Sequence, residues 1–322
     1  MTKARNILII ETAIIAVLVV ILLNPAKSSN QILPKDGLLS PRVYLGLLEP
    51  KSYLITNFEP LKKQLIDEVA SQNISVYVEN LRDGANFDIN PEKRFFPLSL
   101  NKLPVGMLIM QKVEEGKLSP NSKIEVTNKN RDRFSGDLYK DPSASFPLNV
   151  LMEKMLSQSD NTAFYALLDY LDRNDLNFLL DYFPLDLRVY YLKNITESAY
   201  KTSSSDYSNV FRSLYFSTVL NAKSSEYIMR LLLNNTLDIN KLADIPNDIK
   251  IAHKFGLDIR DTKSMHDCGI MYIPARTRIL YCVMSEGLEK EEAEKAIGSA
   301  INKIYRYILD ARAHLEEYKN QG

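Results

Sequence analysis

The run Phe95–Gln111, FFPLSLNKLPVGMLIMQ, decides how the rest of the chain is read. It enters as the apolar end of a strand, crosses Pro97 and continues as a strongly hydrophobic helix carrying Ser99 and Lys102. Residues three apart on a helix share one face, one turn from each other. Leu98, Leu100, Leu103, Val105 and Met107 surround the pair, so that face is expected to be buried. Burial disfavours an ammonium and lowers its pKa, which turns a lysine into a base able to take a serine hydroxyl proton. The bland alternative is a helix N-cap serine beside an exposed first-turn lysine. A second Ser-x-x-Lys, at Ser198 and Lys201, sits in a polar loop-like setting, so the spacing alone does not identify a site.

Working outward, the 322 residues suffice for one large domain or two ordinary ones, and 45% hydrophobic residues supply a core. Forty basic residues balance forty acidic ones, which gives no reason to expect a nucleic-acid partner. Three histidines (His253, His266, His314) and two cysteines make no recognisable zinc constellation, so neither a metal nor another cofactor is expected.

Lys3 and Arg5 precede Ile7–Leu23, ILIIETAIIAVLVVILL, interrupted only by Glu11 and Thr12. At a helical rise this stretch is about 25 Å long, close to a bilayer core. The positive flank predicts a cytoplasmic N-terminus and an extracytoplasmic remainder. A cleaved signal peptide is the competing reading, but Asn24-Pro25-Ala26-Lys27 offers no small-x-small cleavage site. The expected organisation is therefore a membrane anchor over 1–24, a linker over 25–58 and one domain over 59–318.

Within that domain, Leu61–Ala70 has helical spacing, Ile74–Glu79 alternates as a strand, Asp83-Gly84 is a hairpin turn and Ala85–Ile89 returns. Beyond the Ser99 helix, Lys117–Val126 and Asn128–Ser145 are polar and turn-rich. Helices are predicted over Leu148–Leu156, Ala163–Tyr170, Leu176–Tyr182, Asp206–Thr218 and Glu226–Leu233, which places Ser159–Asn161 at a break between the first two. Strands return at Ile249–Gly256, Gly269–Ile273 and Arg278–Met284, before a long amphipathic helix, Lys290–Tyr318. Strands at both ends around a helical block predict one α+β domain whose antiparallel sheet is completed by distant segments and flanked by helices.

Three short motifs lie on these elements: Ser99-x-x-Lys102 on a helix, Ser159-Asp160-Asn161 at a helix break and Lys254-Phe255-Gly256 at a strand end. In that order, 60 and 95 residues apart, they resemble the signature set of penicillin-recognising serine enzymes, class A β-lactamases in particular. The resemblance covers roughly residues 59–318 and extends to Arg278–Glu286, which is similar to the family's last sheet strand. It implies a β-lactamase/transpeptidase-like fold with an all-helical subdomain.

It also implies roles. Ser99 would attack a lactam or peptide carbonyl and Lys102 would accept its proton. Ser159 would relay a proton to the leaving nitrogen, helped by the nearby cation Lys254. Asn161 would bind the substrate amide or pin Lys102. The oxyanion would be held by the backbone N–H groups of Ser99 and Leu257, beside Gly256, and Lys254 would attract a substrate carboxylate. The implied partner is a β-lactam or a peptide derived from peptidoglycan.

Two departures matter. Phe255 replaces the hydroxyl residue usual between the lysine and the glycine, which leaves carboxylate binding to another cation such as Arg260, Arg276 or Arg278. The family's Glu-x-x-Leu-Asn loop, whose glutamate activates the deacylating water, is not found between Phe183 and Ser205, where Glu197 is the only glutamate. These departures keep two further readings open: a D,D-peptidase acting on peptidoglycan stem peptides, and a non-catalytic sensor domain. If Pro274 and Arg278 pair around a three-residue turn, Cys268 and Cys282 lie on one face of adjacent strands, and the expectation is buried thiols rather than a strained cross-strand disulfide.

Overall fold

The strand predicted over Ile74–Glu79 runs over Ile74–Asn80, and all seven of its residues are buried. A strand with no exposed face needs cover on both sides. The structure, a computed structural model, describes residues 56–69, 72–180, 182, 183, 185, 200–274 and 277–320. The chain divides into two units, residues 1–54 and 55–322, and the second holds all the described residues. The expected anchor Ile7–Leu23, Glu197, Ser198 and Arg276 lie outside the described residues, among which no helix is long and apolar enough to cross a membrane.

In chain order the elements are α1 (Glu59–Val69), β1 (Ile74–Asn80), β2 (Asn86–Ile89), α2 (Lys102–Glu114), β3 (Lys123–Glu125) and β4 (Ser145–Pro147). Then come α3 (Leu148–Ser157), α4 (Asn161–Leu168), α5 (Arg173–Leu180), α6 (Ser204–Phe216), α7 (Ala222–Leu232) and α8 (Ile239–Leu242). The chain closes with β5 (Lys250–Asp258), β6 (Ser264–Ile273), β7 (Thr277–Ser285) and α9 (Lys290–Asn320). Five strands form an antiparallel sheet in the order β2-β1-β7-β6-β5, so segments from both ends of the domain meet where β1 pairs with β7, Val76 opposite Val283.

Strand periodicity divides the core in two. Along β7, Leu280, Cys282 and Met284 pack with the helical block, sharing a core with Leu103, Met107, Leu156 and Phe211. The alternate residues Ile279, Tyr281 and Val283 pack with α1 and α9 through Leu61, Leu65, Ile297 and Ile301. Each such buried aliphatic side chain contributes about 1.5–3 kcal/mol. The α+β class and the strand-helix-strand order are as the pattern predicts.

Besides the unpredicted α8 and earlier starts for β6 (Ser264 rather than Gly269) and α7 (Ala222 rather than Glu226), three details differ from the sequence reading. The helix through Ser99 is two pieces, a 3-10 turn at Leu98–Asn101 followed by α2 from Lys102. Leu98 enters that turn with a left-handed φ of 52°, an unfavourable conformation for a leucine. The stretch taken as merely turn-rich contains a small second sheet, β3 with β4. Three-residue strands carry too little periodicity to be read without their partner.

The third difference is a correction. Cys268 and Cys282 form a disulfide instead of remaining buried thiols. The hairpin register sets Ile273 opposite Thr277, so the two cysteines face each other directly rather than diagonally. That two-residue difference in register brings the sulfurs within bonding reach.

Candidate active site

The turn carrying Ser99 is clamped from both sides. Leu100 N–H donates to Pro97 O at 3.0 Å, the buried Tyr207 hydroxyl donates to Leu100 O at 2.8 Å, and His266 Nε2 lies 2.8 Å from Phe96 O. His266 Nδ1 accepts from Ser285 N–H at 3.3 Å, and burial holds the ring pKa down at about 4. The imidazole is therefore neutral, with its remaining proton on Nε2 directed at Phe96 O.

Lys102 follows one turn later, and its Nζ lies 2.7 Å from Ser99 Oγ and 2.7 Å from Asn161 Oδ1. The side chain is 3% exposed. Burial pushes its pKa down to about 7, against the opposing fields of the carboxylates Asp160 and Asp132. An amine poised near neutrality, in contact with a serine hydroxyl, has the geometry and basicity of a general base.

The second motif sits where expected, in the break between α3 and α4. Asp160 caps α4 by accepting from Ala163 N–H at 2.9 Å, while its other oxygen accepts from Leu138 N–H at 2.9 Å. The aspartate thereby ties the helix start to the loop before it. That loop passes so close that a Cβ on Gly136, itself at a φ of 85°, would fall 1.9 Å from Asp160 Oδ2. Ser159 is held in the left-handed region, with a φ of 56°, and its carbonyl accepts from Ser135 Oγ at 2.7 Å. Its own hydroxyl is buried without a hydrogen-bond partner among the described residues. Strain together with an unsatisfied buried hydroxyl costs stability and marks a position built for something other than packing.

The third motif comes from β5, an edge strand of the sheet. A Cβ on Gly256 would lie 3.1 Å from Leu98 Cβ and 3.4 Å from Ser99 N, so the strand runs directly against the serine turn. Leu257 follows at the cleft edge, exposed. Lys254 is wholly buried and is not among the residues lining the cleft. Its Nζ donates to Phe255 O at 3.0 Å and lies 4.4 Å from the Phe255 ring. Burial, then the charge of Lys102, hold its pKa well below the usual lysine value, opposed by Asp267. On the neighbouring strand Asp267 meets His253 Nδ1 at 2.8 Å and accepts from the Tyr281 hydroxyl at 2.7 Å.

Ser99, Lys102, Ser159 and Asn161 all line one cleft of about 680 Å³. Its mouth is apolar and aromatic, with Phe134, Leu257 and Ile259 exposed and the Arg260 guanidinium 4.3 Å from the Phe134 ring. Of the cations named as substitutes for the missing hydroxyl, Arg260 is at the cleft. Arg278 instead donates to Ile273 O and Thr277 O and stacks on Tyr272. Sequence reasoning missed Asp132, whose Oδ1 accepts from Asn161 Nδ2 at 2.9 Å. Nothing in its surroundings, Arg131-Asp132-Arg133, distinguishes it from a solvated charge run. Among the described residues no group of three or more His, Cys, Asp or Glu is placed to hold a metal.

A family profile described as the β-lactamase enzyme family matches residues 60–308, more than three-quarters of the chain. The chain belongs to the β-lactamase enzyme family. Within that family it is 23% identical over 272 residues to the β-lactamase VEB-1 of Pseudomonas aeruginosa, covering 78% of this chain and 90% of that protein. Among solved structures, a β-lactamase from Chitinophaga pinensis aligns with a TM-score of 0.67 and 20% identity, over 79% of this chain and all of that one. A variant of PBP-A, solved as an acyl-enzyme complex with penicillin G, aligns with a TM-score of 0.68 and 20% identity, over 81% of this chain and all of the other. The fold is β-lactamase/transpeptidase-like, and the protein is a β-lactamase-like serine hydrolase.

Proposed function

We propose that this member of the β-lactamase family opens β-lactams through an acyl-enzyme on Ser99. The observation that carries the reading is the 2.7 Å contact between Ser99 Oγ and the buried Lys102 amine. In the first step the Lys102 lone pair takes the hydroxyl proton and the Oγ electron pair forms a bond to the lactam carbonyl carbon. The carbonyl π pair moves onto oxygen, where backbone N–H groups of Ser99 and Leu257 are the candidates to receive it. Collapse of that intermediate breaks the ring C–N bond, and the nitrogen takes a proton from the Ser159 hydroxyl, which Lys102 or Lys254 restores.

The test is intact-protein mass spectrometry after incubation with a penicillin. An adduct is expected on the unaltered protein and not on Ser99→Ala. Absence of any adduct, under conditions where a control β-lactamase is labelled, defeats the reading.

A second reading keeps the acyl-enzyme and changes the outcome. Among the described residues the Lys102 amine meets Ser99 Oγ and Asn161 Oδ1, with no glutamate at hydrogen-bond distance. Where no carboxylate activates water, the β-lactam acyl-enzyme persists, as in a penicillin-binding protein or a D,D-peptidase acting on peptidoglycan stem peptides. Likeness to the penicillin-acylated PBP-A supports this alternative. Faster turnover of a D-Ala-D-Ala peptide than of any β-lactam decides for it.

We also propose an extracytoplasmic domain behind an N-terminal membrane anchor. The apolar run Ile7–Leu23 with its basic flank supports this, and a Cys268–Cys282 disulfide suits an oxidising compartment. Digestion of intact spheroplasts by an external protease should remove the domain.

A further inference from the structure

We propose that Asp132 is a positioning residue for the reaction at Ser99: its carboxylate fixes the Asn161 amide with Oδ1 toward Lys102, and it supplies negative charge that stabilises the ammonium formed when Lys102 takes the serine proton. The inference deepens the acyl-transfer reading above and rests on it.

Four polar groups stand in a chain. Ser99 Oγ lies 2.7 Å from Lys102 Nζ, Lys102 Nζ 2.7 Å from Asn161 Oδ1, and Asn161 Nδ2 2.9 Å from Asp132 Oδ1. An amide can be turned end for end at little cost unless its partners differ in kind. Here they do. An ionised carboxylate only accepts, so Asp132 demands the NH2 end of Asn161 and leaves the carbonyl end for Lys102. The reversed amide would set an N–H against the amine that must hold a free lone pair for Ser99, and a carbonyl against a carboxylate.

Asp132 is itself held. Its Oδ1 also accepts from Phe134 N–H at 2.8 Å, its own N–H donates to Thr162 Oγ1 at 3.0 Å, and that hydroxyl lies 3.3 Å from its carbonyl. Asn161 N–H in turn donates to Ser135 O at 3.0 Å. The loop carrying Asp132 and the first turn of α4 therefore move as one piece, and the carboxylate cannot drift away from the amide.

Charge gives the second half of the argument. When Lys102 accepts the proton it becomes a buried cation, with a second buried lysine, Lys254, close enough to oppose it. The charged groups acting on Lys102 are Asp160 at the start of α4, Asp132 on the preceding loop and Lys254 on β5; the Phe164 ring lies 5.5 Å from its Nζ. Asp160 is already committed to two backbone N–H groups. Asp132 reaches Lys102 through an amide whose dipole is aligned between anion and cation, which transmits the attraction rather than screening it.

The experiment is the rate of Ser99 labelling by a fluorescent penicillin, measured against pH for the unaltered protein, Asp132→Asn, Asp132→Glu and Asp132→Ala, alongside thermal unfolding of each. Loss of the charge alone, in Asp132→Asn, is expected to move the acid limb of the profile to lower pH and lower the plateau about tenfold. Asp132→Glu is expected to keep the limb in place, and Asp132→Ala to lower the plateau further because the amide is no longer held. If Asp132→Asn does not fold, Asp132→Ser carries the same comparison. An acid limb unmoved in the charge-removing variants, whatever their plateau, overturns this inference while leaving acyl transfer intact. No labelling of the unaltered protein at any pH overturns both.

Discussion

Lys102 and Lys254 are two buried amines whose charges oppose each other, and the field of Lys102 adds to burial in holding the Lys254 proton loosely. Protonating one makes protonating the other harder, so the two titrations are coupled. The base form of Lys102 is therefore available without alkaline conditions. Acylation of Ser99 should rise with pH to a plateau, half-maximal near pH 7, the value to which burial brings Lys102. Single-turnover labelling between pH 5 and 9 measures this, and a flat profile through pH 7 counts against Lys102 as the base.

The same lysines make stability depend on pH. Lysine in the unfolded chain titrates near 10.4, whereas both folded-state values are lowered. Between about pH 7 and 10 the unfolded chain binds more protons than the folded one, so stability rises with pH across that window. Lys102→Met should flatten part of the rise and stabilise the protein by about 1–3 kcal/mol at pH 7, while abolishing labelling. Urea midpoints at several pH values are the measurement; a fall in stability from pH 7 to 9 is the contrary result.

Gly136 holds open the space that Asp160 fills. Its φ of 85° and the 1.9 Å approach of Asp160 Oδ2 to a hypothetical Cβ leave no room for a side chain. Gly136→Ala should cost about 2–4 kcal/mol and slow acylation as well, because the Ser159–Asn161 turn must shift. Thermal unfolding combined with labelling kinetics tests it, and an unaltered melting temperature contradicts the packing described.

Gly256 separates rate from stability. Its surroundings at 3.1–3.4 Å must yield only a few tenths of an ångström to admit a methyl group, but they include Ser99 N and Leu98 Cβ. Gly256→Ala should keep nearly the same melting temperature and slow acylation roughly tenfold, since small displacements of a nucleophile cost rate steeply. Equal losses of stability and rate would show that the strand supports the fold rather than the site.

The Cys268–Cys282 disulfide closes a loop across the β6–β7 hairpin, in the middle of the sheet. Reduction should lower stability by about 2 kcal/mol and leave the pH midpoint of labelling unchanged. Unfolding with and without dithiothreitol, plus thiol counting under denaturing conditions, checks both statements.

Much of this molecule was legible because its signals are local. The longer helices, the Asp83-Gly84 turn and the three long strands after Asn247 follow, to within about five residues at their ends, from hydrophobic period and turn chemistry, which depend on near neighbours. Ser99 and Lys102 are one turn apart, so their contact is nearly guaranteed once the segment is helical. What failed locally failed for a reason. The short β3 and β4 are stable only as a pair, and the cysteine pairing depended on a two-residue shift of hairpin register.

By itself, then, the sequence determined the longer elements, the three motifs and the order in which they arrive. Tertiary structure alone decided that Asn161 lies 2.7 Å from Lys102, that Phe255 covers Lys254 while Arg260 reaches the cleft mouth, and that Asp132 grips Asn161 from a loop with no distinguishing pattern. The physical reason is that periodicity encodes which face of an element is buried, whereas a hydrogen bond between residues 29 or 59 positions apart depends on how whole elements pack. Burial of the Lys102 amine is likewise a property of that packing, and with it the basicity on which the chemistry turns.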